Sequence, residues 1–293
     1  MDVSQHTLAD VVSLAGVGVH TGARVQVTLR PAEPDTGVVF IRTDIQDRDN
    51  HLLATGEAVV QTRLGTVLGN AAGVTLSTVE HLMAALNALG VDNAVIEVDG
   101  PEMPIMEGSS QPFVDLLDRA GRRAQAAPRR YIEVLETVEA IEGDARASLR
   151  PAKRFEVAFE IEFKSAAIGR QSIDLVVDEA SFRAEIAACR TFGFAHEVEA
   201  LRKMGLARGG SLENALVYDG DALLNPEGQS RPDEPVRHKA LDAIGDLYLL
   251  GAPLLGRYEG VRAGHGVNNA LVRALKARPE AWRMRVAGEA LAS

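Results

Sequence analysis

Apolar and polar side chains alternate along several short segments of the chain. Residues 24–29, 93–98 and 156–163 carry an apolar side chain at every second position, which is typical of β-strands with one buried face. Short apolar segments bounded by Gly, Pro or Asp also favour strands. The predicted strands lie at residues 17–20, 24–29, 37–42, 57–60, 93–98, 131–134, 147–150, 156–163 and 172–177.

A spacing of three or four residues between apolar positions predicts helices. Leu82, Leu86 and Leu89 follow this spacing within residues 77–90, and Gly90 is a natural helix terminator. The other helices are predicted at residues 112–120 and 182–189, after His238, and at 270–276. Because strands precede helices in both halves, the pattern indicates an α+β fold rather than alternating β-α-β units.

The chain has 293 residues, which is enough for two domains of ordinary size. Residues 121–130 are small, polar and basic and include Pro128, so they are the best candidate for a linker. The sequence therefore predicts an N-terminal domain at 1–127 and a C-terminal domain at 128–293.

Four charged or polar side chains after Arg237 are surrounded by apolar or small residues in the helix predicted at residues 236–250. These side chains are His238, Lys239, Asp242 and Asp246. A helix this apolar is expected to be largely buried, and burying a charge without a partner costs on the order of several kcal/mol. The segment therefore predicts a strong local partner, such as a metal ion or an anionic substrate.

The spacing within this helix favours a metal. His238 and Asp242 are four residues apart, so both side chains lie on one face of the helix, and Asp246 lies one further turn along. Catalytic zinc sites usually use three ligands from His, Asp, Glu or Cys. An ordinary hydrogen bond between the histidine and the aspartate is the alternative interpretation.

A third ligand is offered by His81, in the first turn of the helix predicted at 77–90. Glu80 precedes it and is a candidate general base. The alternative for Glu80 is a capping box, in which its carboxylate folds back on the backbone of Ser77. His265, between Gly264 and Gly266, also has two possible roles: a general acid, or a histidine in a surface loop.

Composition excludes several other classes of protein. The formal net charge of −10 disfavours binding to nucleic acid, and no apolar run approaches the length of a membrane span. The N-terminus lacks the pattern of a secretory signal, and Cys189 is the only cysteine, so we expect a cytoplasmic protein without disulfides. Cys189 is expected to be a small buried residue.

Seven ordered motifs together closely resemble the LpxC family, the UDP-3-O-acyl-N-acetylglucosamine deacetylases of lipid A synthesis. The resemblance runs from about residue 13 to residue 275. The motifs are GVGVHTG (16–22), STVEHLMAAL (77–86), MPIMEGSS (103–110), CRTFGF (189–194), GGSLENALV (209–217), VRHKALDAIGDL (236–247) and GHGVNNAL (264–271).

The resemblance implies two similar α+β domains, each with a sheet layered on a helix pair. The helices are expected between the two sheets, with a small inserted element in each domain; the second insert, at about 192–218, forms an acyl-chain passage. The implied activity is zinc-dependent hydrolysis of the acetamide of UDP-3-O-(3-hydroxyacyl)-N-acetylglucosamine, the committed step of lipid A biosynthesis. A monomer without stable membrane insertion is expected.

Residue roles also follow from the resemblance. The zinc ligands are His81, His238 and Asp242, although such a set also suits Fe²⁺. The implied catalytic residues are Glu80 as general base, His265 as general acid or cationic partner of the oxyanion, Asp246 as the carboxylate that orients it, and Thr191 as an oxyanion-stabilising hydroxyl. The implied substrate-binding residues are Lys239, facing the diphosphate, and Phe192, Met204 and Leu206 in the passage.

Two alternative functions remain open at this stage. One is a nucleotide-sugar binding protein that retains the fold without catalysis, and the other is a structural protein with a closed metal site. The apolar residues assigned to the passage would serve equally well as local core. Which of Glu80 and His265 protonates the leaving amine is also open.

Overall fold

The computed structural model describes residues 3–288. Its helices are α1 (Glu80–Ala88), α2 (Gln111–Ala120), α3 (Glu179–Glu185), α4 (Ala195–Lys203), α5 (Glu234–Tyr248) and α6 (His265–Lys276). The strands of the first half are β1 (Ser4–Leu8), β2 (Val12–Val17), β3 (Arg24–Pro31), β4 (Val38–Arg42), β5 (His51–Leu53), β6 (Val59–Gln61), β7 (Val67–Gly69), β8 (Thr75–Ser77) and β9 (Ala94–Val98). The later strands are β10 (Arg122–Pro128), β11 (Arg130–Val134), β12 (Val138–Glu142), β13 (Ala145–Arg150), β14 (Phe155–Glu162), β15 (Arg170–Val176), β16 (Phe192–Phe194), β17 (Leu216–Asp219), β18 (Ala222–Leu223), β19 (Leu254–Val261) and β20 (Trp282–Val286).

Each half of the molecule contains one large sheet. The first sheet has the strand order β2-β3-β9-β4-β5, and the second has the order β12-β13-β19-β11-β20, with β14 pairing β19 and β15. Both sheets are mixed, because β4 runs parallel to β9 and β14 runs parallel to β19. Buried and exposed side chains alternate along β3 and β14, so the sequence-predicted strands with one buried face are confirmed.

The helices pack on the inner faces of these sheets. Helix α5 lies against β14 and β15, α6 lies against β12 and β13, and α2 lies against β2. Helices α1 and α5 pack directly on each other, joining the two halves. The predicted α+β architecture is therefore confirmed. Across residues 3–288, no helix combines the length and the apolar character needed to cross a membrane.

Gly245 explains how closely α1 and α5 approach. A Cβ atom added at this position would lie 2.1 Å from the carbonyl oxygen of Glu80. Real side-chain carbons do not approach a backbone oxygen this closely, so only glycine permits the crossing. The contact brings the start of α1 against the middle of α5, the helix with the buried charged side chains.

A small three-stranded sheet is inserted in each half. The first consists of β6, β7 and β8 and leads directly into α1. The second consists of β16, β17 and β18, with α4 between β16 and β17. It contains the predicted insert at 192–218 and continues to the end of β18.

Several predicted boundaries are wrong. The predicted linker contains the strand β10, which pairs antiparallel with β1. The sequence does not predict this strand because its small and polar residues do not alternate with apolar ones. The strand predicted at 17–20 is mostly a turn after β2, and the one at 57–60 is a short 3-10 helix followed by β6. The helix predicted at 182–189 is α3, which begins three residues earlier behind an Asp178 capping box.

Candidate active site

A cluster of possible metal ligands lies where α1 meets α5. One ligand atom from each of His81, His238 and Asp242 lies within 4.8 Å of the other two, and all three residues are buried. The Asp242 Oδ1 atom is 3.4 Å from His238 Nε2 and 3.7 Å from His81 Nε2. The three residues that the sequence predicts as ligands are therefore brought together.

The electrostatics of this cluster suit a divalent cation. Burial lowers the pKa of His238 to about 4, so its imidazole is neutral, and its Nδ1 lies 3.0 Å from the carbonyl oxygen of Cys189. That hydrogen bond assigns the proton to Nδ1 and leaves the Nε2 lone pair free. Burial raises the pKa of Asp242, but the positive charges of Lys239 and His265 oppose this effect and the pKa lies well below its usual value, so the carboxylate is ionised. Two imidazoles and one carboxylate form a donor set typical of catalytic zinc or iron.

Lys239 forms an ion pair with Asp242 and so helps to keep its carboxylate ionised. Lys239 Nζ lies 2.7 Å from Asp242 Oδ2, and the lysine also lines the adjacent cavity.

Cys189 is 2% exposed, as expected, and burial raises the pKa of its thiol to about 12. The thiol is therefore a neutral structural group, and the carbonyl of the residue is what contacts the site.

Glu80 is directed into the site rather than toward the preceding backbone. The backbone N–H of Thr66 donates to Glu80 Oε2 at 3.1 Å, and Glu80 Oε1 lies 3.7 Å from His265 Nε2. The helix begins at Glu80 itself, after Thr78 with φ +61°. The capping-box interpretation is therefore wrong, because the Ser77 N–H donates to the Pro101 carbonyl at 3.0 Å instead of to Glu80. Burial raises the pKa of Glu80, although His265 and His81 oppose the shift.

His265 is the first residue of α6 and its side chain is only 12% exposed. The surface-loop interpretation is therefore wrong, and the helix begins five residues before the predicted start at 270. His265 Nδ1 lies 2.9 Å from Asp246 Oδ2. Burial lowers the pKa of His265, but Asp246 and Glu80 raise it by more, to about 9. The imidazole is therefore protonated at neutral pH.

Three residues around Asp246 were not predicted from the sequence. The Thr66 hydroxyl lies 2.5 Å from Asp246 Oδ1, and Asn268 Nδ2 donates to Asp246 Oδ2 at 2.9 Å. The Tyr258 hydroxyl donates in turn to Asn268 Oδ1 at 2.7 Å. Asn268 could have been found from its helical spacing to His265, whereas Thr66 lies 180 residues from Asp246 and follows no periodic pattern.

The cluster opens into a cavity of about 880 Å³ that is walled largely by the second insert. Thr191, Phe192 and Lys239 lie on its wall, as predicted. Among residues 3–288, Met204 and Leu206 do not lie on that wall, and Met204 is 51% exposed. Besides Phe192 and several alanines, the apolar insert residues that line the cavity are Phe194, Val198, Leu201, Leu212 and Val217.

Comparisons with known proteins agree with this geometry. The family model LpxC, described as UDP-3-O-acyl N-acetylglycosamine deacetylase, matches residues 5–277. A UDP-3-O-acyl-N-acetylglucosamine deacetylase from Phenylobacterium zucineum (strain HLK1) is 70% identical, covering 98% of both chains. The deacetylase of the same name from Myxococcus xanthus (strain DK1622) is 49% identical over 96% of this chain and 89% of its own. The resemblance found in the seven motifs is confirmed, and the chain belongs to the LpxC family.

Proposed function

We propose that this chain hydrolyses the acetamide of UDP-3-O-(3-hydroxyacyl)-N-acetylglucosamine to the free amine and acetate, the committed step of lipid A biosynthesis. The observation that carries the proposal is one arrangement of buried groups. A cluster of two histidines and one aspartate lies beside an acid–base couple, Glu80 and His265, at the inner end of a large cavity. Relatives across nearly the whole chain are deacetylases of this name.

The metal is held by His81, His238 and Asp242, with Zn²⁺ as the proposed ion and Fe²⁺ as the alternative for the same donors. When bound there, a divalent cation polarises a carbonyl group and lowers the pKa of a coordinated water toward neutrality. His81 Nδ1 is buried and has no hydrogen-bond partner among residues 3–288, so this ring is held mainly by packing and by its position at the start of α1.

Glu80 acts as the general base. Burial raises the pKa of its carboxyl, which brings proton uptake closer to neutral pH. Oε2 is held by the Thr66 N–H, whereas Oε1 faces His265 and the cavity, so Oε1 takes the proton from the attacking water. The carboxylate is thereby oriented before substrate binds.

His265 supplies positive charge beside the reacting amide. Its Nδ1–H donates to Asp246, so the Nε2–H is directed toward Glu80 and Asp242, at 3.7 and 3.8 Å. The imidazolium stabilises the negative charge that develops on the carbonyl oxygen, together with the hydroxyl of Thr191. Either Glu80 or His265 then protonates the leaving nitrogen.

The rest of the substrate extends along the cavity. Lys239 lies at its wall and provides positive charge for the diphosphate, while Phe192 and the apolar insert residues contact the acyl chain. Met204 and Leu206 remain candidates for the outer part of this passage. We place the protein in the cytoplasm as a monomer that takes a lipid-bearing nucleotide sugar and no nucleic acid, in keeping with its net charge of −10.

Acetate release from the purified protein tests this function. We expect release from UDP-3-O-(3-hydroxyacyl)-N-acetylglucosamine, its loss after treatment with a chelator, and its recovery on addition of Zn²⁺ or Fe²⁺. Binding of the nucleotide sugar without acetate release would indicate a binding protein instead. Unfolding on chelation, with no acetate released at any metal content, would indicate a structural metal site.

A further inference from the structure

Thr66 lies outside the helices and contacts both carboxylates of the site, Glu80 and Asp246, while its hydroxyl oxygen also lies 3.3 Å from His265 Nδ1. Its backbone N–H donates to Glu80 Oε2 at 3.1 Å, and its hydroxyl lies 2.5 Å from Asp246 Oδ1. A carboxylate is an acceptor only, so the hydroxyl is the donor. Thr66 is 1% exposed and precedes β7 in the first inserted sheet. One residue of the first half therefore binds the base in α1 and the carboxylate in α5 at the same time.

The backbone around Thr66 is held tightly in place. The Thr66 carbonyl accepts a hydrogen bond from the Thr78 N–H at 3.0 Å, just before α1 begins. Leu64 and Gly65 adopt positive φ values of +64° and +155°. A Cβ atom at Gly65 would lie 3.0 Å from Glu80 Oε1, so the turn lies directly against the base. These constraints fix the Thr66 N–H and hydroxyl relative to both carboxylates.

The hydroxyl is important because of how Asp246 is coordinated. Asp246 Oδ2 accepts from both His265 and Asn268, whereas among residues 3–288 Thr66 is the donor found at Oδ1. Without the hydroxyl, one buried carboxylate oxygen would be unpaired, and the carboxylate would rotate to find another donor. His265 would turn with it, because its Nδ1–H is bound to Oδ2.

We propose that Thr66 is a positioning residue that sets the separation between Glu80 and His265. The inference rests on the proposed function, in which these two residues move the protons. Its N–H fixes the base, and its hydroxyl fixes the imidazolium through Asp246. The 3.7 Å between Glu80 Oε1 and His265 Nε2 is thus determined by a loop of the first inserted sheet as well as by the two helices.

Thr66→Val removes the hydroxyl and keeps the shape of the side chain. We expect kcat to fall about 10- to 100-fold, the range typical of residues that orient catalytic groups, with little change in KM or in bound metal. Thr66→Ser restores the hydroxyl and should recover most of the activity. A wild-type kcat in Thr66→Val would overturn the proposal. So would a Thr66→Ser variant as impaired as Thr66→Val, because the effect would then come from the methyl group.

Thr7 provides a matched control. It is fully buried, and its hydroxyl donates to the Asn93 carbonyl at 2.8 Å and accepts from the Ala32 N–H at 2.8 Å, away from the site. Thr7→Val should therefore lower the melting temperature while kcat stays at the wild-type value. If Thr66→Val does not yield folded protein, Thr66→Ala makes the same test with a smaller side chain.

A double-mutant cycle with His265→Ala separates positioning from a general structural effect. If Thr66 acts through His265, Thr66→Val should reduce the residual rate of His265→Ala much less than it reduces the wild-type rate. Equal fold-losses in both backgrounds would reject the inference. Wild-type turnover in His265→Ala would instead reject the proposed catalytic role of His265, so the two failures are distinguishable.

Discussion

The two ends of the cavity are built in opposite ways. At the inner end, the side chains of Glu80, His81, His238 and Asp242 are at most 5% exposed, and they come from α1 and α5 in the two halves of the molecule. At the outer end, α4 of the second insert has no buried residue, although its Val198 and Leu201 line the cavity. Charged groups are enclosed at one end, and apolar groups are open to solvent at the other.

The two ends differ in burial because, under the proposed function, the inner end binds the reacting amide and the outer end contacts an apolar chain. Buried polar groups need hydrogen-bond partners of defined geometry, so the inner end has essentially one arrangement. Apolar contacts are non-directional, so the proposed acyl passage would accommodate chains that differ in length or position. We therefore expect substitutions at the inner end to affect the rate and those at the outer end to affect selectivity.

Removing a proposed metal ligand should have the largest effect. His238→Ala takes away one of three donors and the hydrogen bond to the Cys189 carbonyl. We expect the purified variant to contain little metal and to release acetate no faster than the chelated wild-type protein. Metal analysis by mass spectrometry and an acetate assay measure both effects. Full metal content with wild-type turnover would remove His238 from the ligand set.

Glu80→Gln should have the next largest effect. The amide keeps the size of the side chain but cannot take up a proton, so we expect kcat to fall by about 10² to 10⁴-fold with metal content unchanged. Comparison with His238→Ala then separates loss of the base from loss of the ion. Near-native turnover of the glutamine variant, at equal metal content, would show that Glu80 is not the base.

Gly245→Ala tests whether the inner end depends on the close approach of α1 and α5. The added methyl group meets the Glu80 carbonyl, so we expect a loss of about 1–3 kcal/mol in the free energy of unfolding, despite the better helix propensity of alanine. Chemical denaturation measures it. Gly193→Ala is the control, because among the described residues no atom lies within 4 Å of its Cβ position. Equal stability of the two variants would contradict the packing argument.

Leu201→Ala should have the smallest effect on turnover and the clearest effect on selectivity. Leu201 lies on the cavity wall, whereas Met204 does not. We expect Leu201→Ala to change the ratio of kcat/KM between substrates of different acyl length, by about tenfold or less, and Met204→Ala to leave that ratio almost unchanged. A larger shift for Met204→Ala would restore that residue to the passage as first predicted.

The inner end was largely predictable because its residues carry strong local signals. An imidazole and a carboxylate four residues apart in an apolar helix fit either a metal or a local hydrogen bond, and His81 at the start of another helix offers the third ligand that favours the metal. His265 was harder: Gly264, the extended residue before α6, makes the start of the helix look like a loop. The motifs that resemble the family supplied its role, and the structure then placed it at the site.

Other features depend on contacts that no local pattern reveals. The role of Glu80 was ambiguous because the S-x-x-E pattern fits a capping box, whereas in the folded chain the Ser77 N–H donates to the distant Pro101 carbonyl. Thr66 reaches Asp246 across the boundary between the two halves, so its contact exists only after folding. The alternation in β3 and β14, by contrast, is a local consequence of one buried face and was readable directly.

The pairing of β10 with β1 has a consequence for how the protein can be divided. Cleavage just before Arg122 would leave β10 on the C-terminal fragment, and it would uncover the antiparallel edge of β1 on the N-terminal one. We therefore expect each of the two fragments to aggregate when it is produced alone. Co-expressed, they should reassociate along α1 and α5, so that fragment complementation reports directly on the surface that builds the catalytic centre.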